Sequence, residues 1–321
     1  DQDCIEPHGS IDNWSVKNMY FARPHKSNSA VEVFPQFGDM HNGLFENCVI
    51  EDNEMRISLQ SGTGGNTVYN LTLKKNHFKH SIIYAGVNGN YQNLIIDENH
   101  FEGPSNHNRN IPNFNAISTF EPTNTIKVIN NRIHDYQYAG MHILEDNALI
   151  KGNTVYNNGQ DTEGIGYFRV GINSEGDNSV ITNNIVYDNQ GTKTQTYASI
   201  RAIGDEITVS NNYGDIDSFM NGSGWKKTGN TGGILDTVRF LATMTAGNST
   251  LNIDALADAL NIPVNLTTSR YFTAQQLNNG SNGAISSWFR VSGGVLYLEL
   301  DSNVTVDTNF LIKFDYTSSI D

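Results

Sequence analysis

The sequence is poor in cysteine, in basic residues and in long apolar runs, and each shortage argues against a class of protein. Its 321 residues include 2 cysteines, whose spacing matches no metal-binding motif. Lys and Arg number 20 against 34 Asp and Glu, for a formal net charge of −14. This balance argues against nucleic-acid binding, which depends on neutralising phosphates. No apolar run approaches the roughly 20 residues of a membrane-spanning helix, so we expect no membrane insertion.

Charged residues are also scarce, at 17% against roughly 25% in typical soluble proteins. Asparagine is abundant, glycine reaches 29, and no long stretch of Ala, Leu, Glu and Lys occurs. These features argue against coiled coils and helical bundles. The 15 Phe, 14 Tyr and 3 Trp supply apolar side chains for a core, which argues against disorder.

One short pattern recurs along the first two thirds of the chain: apolar, any, apolar, two residues, Asn, any, apolar. A clear copy spans residues 71–78. The asparagines that this pattern aligns are Asn47, Asn76, Asn99, Asn131, Asn153, Asn184 and Asn212. The shortest spacings between them give the bare repeat, and the longer ones predict loop insertions.

Each repeat alternates apolar and polar residues with period two, which is typical of strands. A repeat this short cannot hold a strand–helix–strand crossover, which needs about 30 residues. It therefore predicts a solenoid in which each repeat is one coil of a parallel β-helix, with coils about 4.8 Å apart and the asparagines stacked in a ladder at a bend. A meander with Asn-rich hairpins is the alternative.

A third strand in each coil places one outward-facing side chain per coil in a column. The predicted members are Ser58, Tyr84, Ser118, His142, Asn173 and Arg201. Insertions at residues 102–115, 157–169 and 189–197 should project beside this column. We expect them to wall a groove that suits a linear polymer, because loops on a rigid scaffold carry function.

The repeat resembles the right-handed parallel β-helices of the pectate-lyase-like superfamily, which includes pectinases, alginate lyases, epimerases and phage tailspikes. The resemblance covers roughly residues 10–220 and rests on the repeat and the asparagine ladder. It implies an all-β fold: a right-handed single-stranded parallel β-helix. No catalytic motif of the superfamily is matched residue by residue, so the resemblance assigns no catalytic residue.

The repeat ends after Asn212, and the residues that follow have a different sequence pattern. We expect residues 1–225 to form the β-helix and residues 226–321 to form a small C-terminal β-sandwich-like module. Within this module the sequence predicts a short helix over Ile253–Leu260 and strands over Trp288–Val291, Val295–Leu300 and Phe310–Tyr316. This order of domains resembles that of phage tailspikes, which implies a module for trimerisation or carbohydrate binding and an assembled homotrimer.

The acidic residues near the groove are the candidates for glycoside hydrolysis, which needs one group to protonate the leaving oxygen and another to attack or activate water. The predicted catalytic residues are Glu145, Glu121, Glu175, Asp135 and His142. Glu121 and Glu145 should lie about 5 Å apart on neighbouring coils, close to the roughly 5–5.5 Å of a retaining pair. Glu121 and Glu175, two coils apart, should approach the roughly 6.5–9.5 Å of an inverting pair. Like-charge repulsion from Glu121 should then raise the pKa of Glu145 and make it the acid. Solvated acidic turns are the alternative.

A second chemistry is open, namely elimination from a uronate polymer. His142 would be the base, and Arg169 or Arg201 would hold the substrate carboxylate. A Ca²⁺ ion held by Asp146, Asp177 and Asp205 could assist, although each Asp is equally explained as a turn former. We expect no other cofactor and no other metal.

Sugar binding calls for polar side chains and for aromatic rings that stack on a pyranose. The predicted substrate-binding residues are Tyr84, Ser118, Asn173, Arg169, Arg201 and Tyr167. The sequence thus predicts a tailspike-type protein of the virion tail that binds and cleaves a bacterial surface polysaccharide as an endo-acting glycoside hydrolase. The alternatives are a secreted lyase or epimerase that acts on uronate polymers, and a β-helical glycan-binding spike without turnover.

Overall fold

A computed structural model of the chain describes residues 10–22, 31–33, 35, 37–52, 54–57, 66–86, 90–103, 115–120, 125–160, 169–192, 194–195, 198–214, 219–221, 226–232, 236–253, 271–276, 287–292, 295–300 and 302–316. Among them, Ile253 is the one residue in helical conformation, and strands make up the rest of the regular structure. No helix in this part of the chain is long and apolar enough to cross a membrane. The chain divides into two compact units, residues 1–221 with 230–234 and residues 222–229 with 235–321.

The first unit is built from short parallel strands on four faces, which we number in the order in which a coil visits them. Sheet 1 contains Ile11–Asp12, Met40–His41, Thr67–Tyr69 and Asn90–Gln92. Sheet 2 contains Ser15–Lys17, Leu44–Glu46, Thr72–Lys74, Leu94–Asp97, Ile126–Ile129, Leu149–Lys151, Val180–Thr182 and Thr208–Ser210.

The other two faces complete each coil. Sheet 3 contains Tyr20–Ala22, Val49–Glu51, His77–Lys79, His100–Glu102, Arg132–His134, Thr154–Tyr156, Ile185–Tyr187, Tyr213–Gly214 and Thr231–Gly232. Sheet 4 contains Val31–Val33, Glu54–Ile57, Ile82–Ala85, Ile117–Thr119, Met141–Ile143, Val170–Ser174, Ala198–Ile203 and Phe219–Asn221.

Every strand of the solenoid pairs in parallel with the equivalent strand one coil away. Leu73, for example, lies opposite Ile96, and Phe78 lies opposite Phe101. In sheets 2 and 3 the apolar residue at the centre of most strands points inward, and the rings of Phe78 and Phe101 stack with their centroids 4.5 Å apart. The predicted parallel β-helix is therefore confirmed, and hairpins do not form along these residues.

The asparagine ladder is also confirmed, with one correction. The side chains of Asn76, Asn99, Asn131, Asn153, Asn184 and Asn212 are buried, and each Oδ1 accepts the backbone N–H of the preceding coil, as in the 2.9 Å bond from Asn99 to Asn131. Asn47 is not a member, because Cys48 occupies the ladder position and donates its N–H to Asn76. Asn230 extends the ladder beyond Asn212.

The correction has a simple cause in the bend itself. The residue just before each ladder position adopts positive φ, which Asn47 does at 55°, and asparagine tolerates this left-handed conformation. The repeat pattern in the sequence does not distinguish an asparagine at the bend, where φ is positive, from an asparagine at the ladder position. Asparagines at the exposed bends between sheets 1 and 2 form a second, outer ladder, in which Asn70 bonds Asn42 at 3.0 Å.

The second unit is antiparallel. One sheet holds Lys226–Thr228, Asp236–Met244, Thr308–Tyr316 and Tyr271–Gln276, and another holds Thr250–Asn252, Val295–Leu300 and Ser287–Ser292. The three predicted C-terminal strands lie within these strands. The predicted helix over Ile253–Leu260 lies outside the described residues apart from Ile253.

Candidate functional site

The predicted column of outward side chains exists on sheet 4. Tyr84 lies opposite Ser118, Ser118 opposite His142, His142 opposite Asn173, and Asn173 opposite Arg201. The first predicted member is wrong, because Arg56 and not Ser58 lies opposite Tyr84. Alternation alone does not decide between Arg56 and Ser58 as the column member, because both are next to the inward Ile57. The strand register decides in favour of Arg56.

Four of the predicted residues meet at one end of this column, around the Glu175 carboxylate. Its Oε1 lies 3.3 Å from His142 Nε2 and 2.7 Å from Arg201 Nη1. The same oxygen accepts a 3.2 Å bond from Asn173 Nδ2. Arg201 Nη1 also donates to Asn173 Oδ1 at 2.7 Å. We call these four residues the Glu175 cluster.

The Glu175 cluster holds its carboxylate in the ionised form. Contact with His142 and the hydrogen bonds from Arg201 and Asn173 lower the pKa of Glu175 from 4.5 to about 2, although partial burial acts in the opposite direction. About 30% of the Glu175 side chain is exposed, against 12% for Arg201 and 20% for His142. At neutral pH Glu175 is therefore a reachable anion that can orient a base or accept a proton, and it cannot serve as the acid.

The remaining column members differ in how accessible they are. Tyr84 is partly exposed, and its ring packs against Phe120 with centroids 4.5 Å apart. Ser118 is buried, and its hydroxyl accepts a 3.0 Å bond from Asn115 Nδ2. Asn173 is the buried member of the Glu175 cluster. Tyr84 thus remains a candidate sugar platform, whereas Ser118 and Asn173 hold their neighbours in place.

Glu145 does not lie in the groove, contrary to the prediction. Ile143 is paired with Ser174, so Leu144 and not Glu145 corresponds to Glu175 one coil later. Glu145 therefore points inward, its exposed fraction is 0%, and it accepts hydrogen bonds from Tyr91 and Thr119. Its pKa is raised to about 6, as expected in direction, but burial is the cause.

The other predicted site residues do not join the Glu175 cluster. Asp135 lies at the bend after sheet 3, where its Oδ2 lies 2.7 Å from His134 Nδ1. Arg169 directly precedes the Val170–Ser174 strand, so it lies at the opposite end of that strand from Glu175. Glu121 and Tyr167 lie outside the described residues, and the predicted pairing of Glu121 with Glu145 or Glu175 stays a prediction.

Asp146, Asp177 and Asp205 align from coil to coil, as predicted for a Ca²⁺ site. Asp146 Oδ1 accepts the N–H of Asp177 at 2.8 Å, and Asp177 Oδ1 accepts the N–H of Asp205 at 2.7 Å. These bonds give the first two carboxylates the role of turn formers. A calcium role for the three stays a prediction.

The geometry of the Glu175 cluster limits what it can do chemically. The 3.3 Å contact between His142 and Glu175 is shorter than the roughly 5 Å or more that separates the two catalytic groups flanking a glycosidic bond. The two residues therefore form one proton-transfer unit, in which a carboxylate orients an imidazole. Arg201 adds a fixed positive charge to that unit.

Comparisons with known proteins give similarity to solved structures alone. No protein-family description and no curated protein matches the sequence. The tailspike protein gp49 of Acinetobacter baumannii bacteriophage Fri1, a capsular polysaccharide depolymerase, is 9% identical, with 99% of this chain and 70% of that chain covered and a TM-score of 0.34. The tailspike protein gp49 of Pseudomonas phage LKA1 is 11% identical, with 97% and 66% covered and a TM-score of 0.28.

A third similar structure is QnrB1, a plasmid-mediated fluoroquinolone resistance protein. It is 8% identical, with 65% of this chain and 85% of that chain covered and a TM-score of 0.28. QnrB1 is described differently from the two tailspike proteins, so a role for this chain has to be argued from its own site.

Proposed function

We propose that this chain binds a bacterial surface polysaccharide along the outer face of sheet 4 and cleaves it at the Glu175 cluster. The observation that carries the proposal is the Glu175 carboxylate, which bridges His142 and Arg201 on the outer face of a rigid solenoid. The substrate class is the one described for the Fri1 tailspike, and it is extended to this chain as a hypothesis. The proposal rests on the site and not on that likeness.

His142 is the residue that moves the proton. An imidazole can accept and release a proton near neutral pH, and the Glu175 carboxylate, 3.3 Å from His142 Nε2, holds the ring in orientation. Tyr84 lies two coils from His142 in the same column, about 10 Å along the solenoid axis. Its ring is placed to stack on a neighbouring sugar of the same polymer chain.

Of the possible cleavage reactions, elimination is the one for which the described residues supply the most of the required groups. His142 would take the proton from the carbon beside a uronate carboxylate. The C–O bond to the leaving sugar would then break, a C=C bond would form, and the leaving oxygen would take up a proton. Arg201 supplies the positive charge that the developing anion needs.

Hydrolysis is the second candidate, because the ionised Glu175 can also activate water. It needs an acid about 5 Å or more away from that carboxylate. Glu121 is the residue that the sequence offers for this role.

We further propose that the chain works as a homotrimer in a virion tail, outside the host cell, and a secreted enzyme is the alternative.

The experiment that tests the proposal incubates the full chain with a panel of capsular polysaccharides, O-antigens and uronate polymers. New reducing ends are counted, and the ultraviolet absorbance of a new C=C bond is recorded in the same samples. Reducing ends with absorbance identify elimination, and reducing ends without it identify hydrolysis.

The His142→Gln variant is expected to bind the polymer that the wild type cleaves and to show turnover that is lower by about 100-fold or more. The matched control is His80→Gln, whose imidazole is partly buried against Asp52 at 3.1 Å on another part of the solenoid. Full turnover in His142→Gln would overturn the assignment. Binding without cleavage of any polymer on the panel would instead identify a glycan-binding spike.

A further inference from the structure

A second group of ionisable side chains lies on the outer face of sheet 3, away from the column on sheet 4. His77 lies directly opposite His100, and Glu102 lies directly opposite His134 on the next strand. His100 and Glu102 are two residues apart on one strand, so both point outward. Three adjacent strands thus bring three imidazoles and one carboxylate to the same patch.

The ligand atoms of this patch lie close together. His77 Nε2 is 3.4 Å from Glu102 Oε2, and the ligand atoms of His77, His100 and Glu102 all lie within 4.8 Å of one another. His134 Nε2 is 2.9 Å from His100 Nε2. Two ligand atoms of a tetrahedral zinc ion with bonds of about 2.1 Å lie about 3.4 Å apart. The ligand atoms of His77, His100 and Glu102 are close to that spacing, and His134, which contacts His100, would rotate to join them.

Two further contacts indicate a site prepared for a ligand. Asp135 Oδ2 lies 2.7 Å from His134 Nδ1, which favours the tautomer with the proton on Nδ1 and a lone pair on Nε2. Metal-binding histidines commonly have such a carboxylate behind them. In addition, His77 Nε2 is buried and makes no hydrogen bond to any described residue, which is costly for a polar atom unless something binds it.

We propose that His77, His100 and Glu102 bind a divalent transition metal such as Zn²⁺, with His134 as the fourth ligand and Asp135 as the residue that orients it. Imidazole nitrogens with one carboxylate suit Zn²⁺, Ni²⁺ and Cu²⁺ better than Ca²⁺ or Mg²⁺, which prefer oxygen ligands. The ion would tie three consecutive coils together. This assigns Asp135 to a metal site and not to glycan cleavage.

The test is metal binding by the intact chain, without an activity readout. The protein is treated with a chelator, dialysed against ZnCl₂ and assayed for bound zinc, and Co²⁺ is used as a spectroscopic probe of tetrahedral coordination. The variants are His77→Gln, His100→Gln and Glu102→Gln. His80→Gln is the matched control because His80 lies beside Asp52 and outside the patch. Circular dichroism verifies that each variant is folded.

We expect one Zn²⁺ per chain, the visible absorption of tetrahedral Co²⁺, and affinity about tenfold or more weaker in each of the three variants. The His80→Gln control should bind like the wild type. Failure to retain zinc, or equal retention by all variants, would overturn the proposal. Because no step uses polysaccharide, either result leaves the proposed cleavage at the Glu175 cluster to its own test.

Discussion

Two glutamates of the same solenoid show how the surroundings of one residue set its chemistry. Glu175 lies on the outer face beside His142 and Arg201, and its pKa is lowered to about 2. Glu145 lies in the interior with Tyr91 and Thr119 as hydrogen-bond donors, and burial raises its pKa to about 6. The outer carboxylate is therefore suited to chemistry at neutral pH, and the inner one affects stability.

Glu145 should make the stability of the fold fall between about pH 4.5 and 6. Below pH 4.5 its carboxyl is protonated in the folded and unfolded chain, and within this window the folded chain alone keeps the proton. The contribution of Glu145 to the free energy of unfolding should therefore decrease by about 2 kcal/mol as pH rises through the window. Urea unfolding at several pH values measures this slope.

The Glu145→Gln variant should remove that slope, because its amide does not ionise. Glu175 does not act in this window, since its lowered pKa stabilises the fold above about pH 4.5 and loses that effect as pH falls to about 2. His100 does act in it, because burial lowers its pKa to about 4 and its contribution to stability rises with pH. The Glu145 effect is therefore measured as the difference in slope between the wild type and Glu145→Gln. Glu206→Gln is the control, because Glu206 is exposed at a bend. An unchanged slope in Glu145→Gln would show that another group titrates.

At the scale of the element, short strands are predictable where a period of two applies, and bends are not. Alternation and repeat spacing together predicted the column from Tyr84 to Arg201, because strand register repeats from coil to coil. Asn47 was misassigned because asparagine occurs both at the bend, where φ is positive, and at the ladder position that follows it. Glu145 was misplaced by one residue of register. His142 and Asn173 are paired, and Glu145 follows His142 by three residues whereas Glu175 follows Asn173 by two, so the two glutamates are not at equivalent positions.

The buried asparagine ladder should be more important for stability than the exposed one. In Asn131→Ala, the buried N–H of Asn99 loses its acceptor and the carbonyl of Ile96 loses its 2.8 Å donor. Each buried unpaired group costs about 1–3 kcal/mol, so we expect the free energy of unfolding to fall by about 3 kcal/mol. Denaturant unfolding monitored by circular dichroism measures the change.

The control for the ladder is Asn70→Gly, at an exposed bend where φ is 55°. Glycine adopts this conformation readily, and the two side-chain bonds that are lost, with Asn42 and Asn93, are exposed, so the cost should stay below about 1 kcal/mol. Equal losses in Asn131→Ala and Asn70→Gly would mean that the buried ladder has no special role.

At the scale of the whole molecule, the solenoid keeps several large apolar side chains on its surface. Ile185 and Tyr213, which lie opposite each other on the outer face of sheet 3, are 47% and 43% exposed. Exposed apolar patches commonly mark protein–protein contacts. The proposed occupant is a second copy of this chain within a homotrimer.

Sedimentation equilibrium at micromolar concentration should therefore give a mass about three times that of the 35.5 kDa chain. Ile185→Lys should weaken the assembly by placing a charge in the contact. Val180→Lys should not, because Val180 is an exposed apolar residue on sheet 2 and not on the face that carries Ile185 and Tyr213. A mass near that of one chain for the wild type would contradict the trimer.

The central claim is that Glu175 acts in the cleavage of a polysaccharide, and the most direct measurement is the turnover of Glu175→Gln on a polymer that the wild type cleaves. The loss of its negative charge should reduce the rate by about 100-fold or more and leave binding of a non-cleavable oligosaccharide nearly unchanged, while Glu206→Gln keeps the wild-type rate. Wild-type turnover in a folded Glu175→Gln protein would contradict the claim.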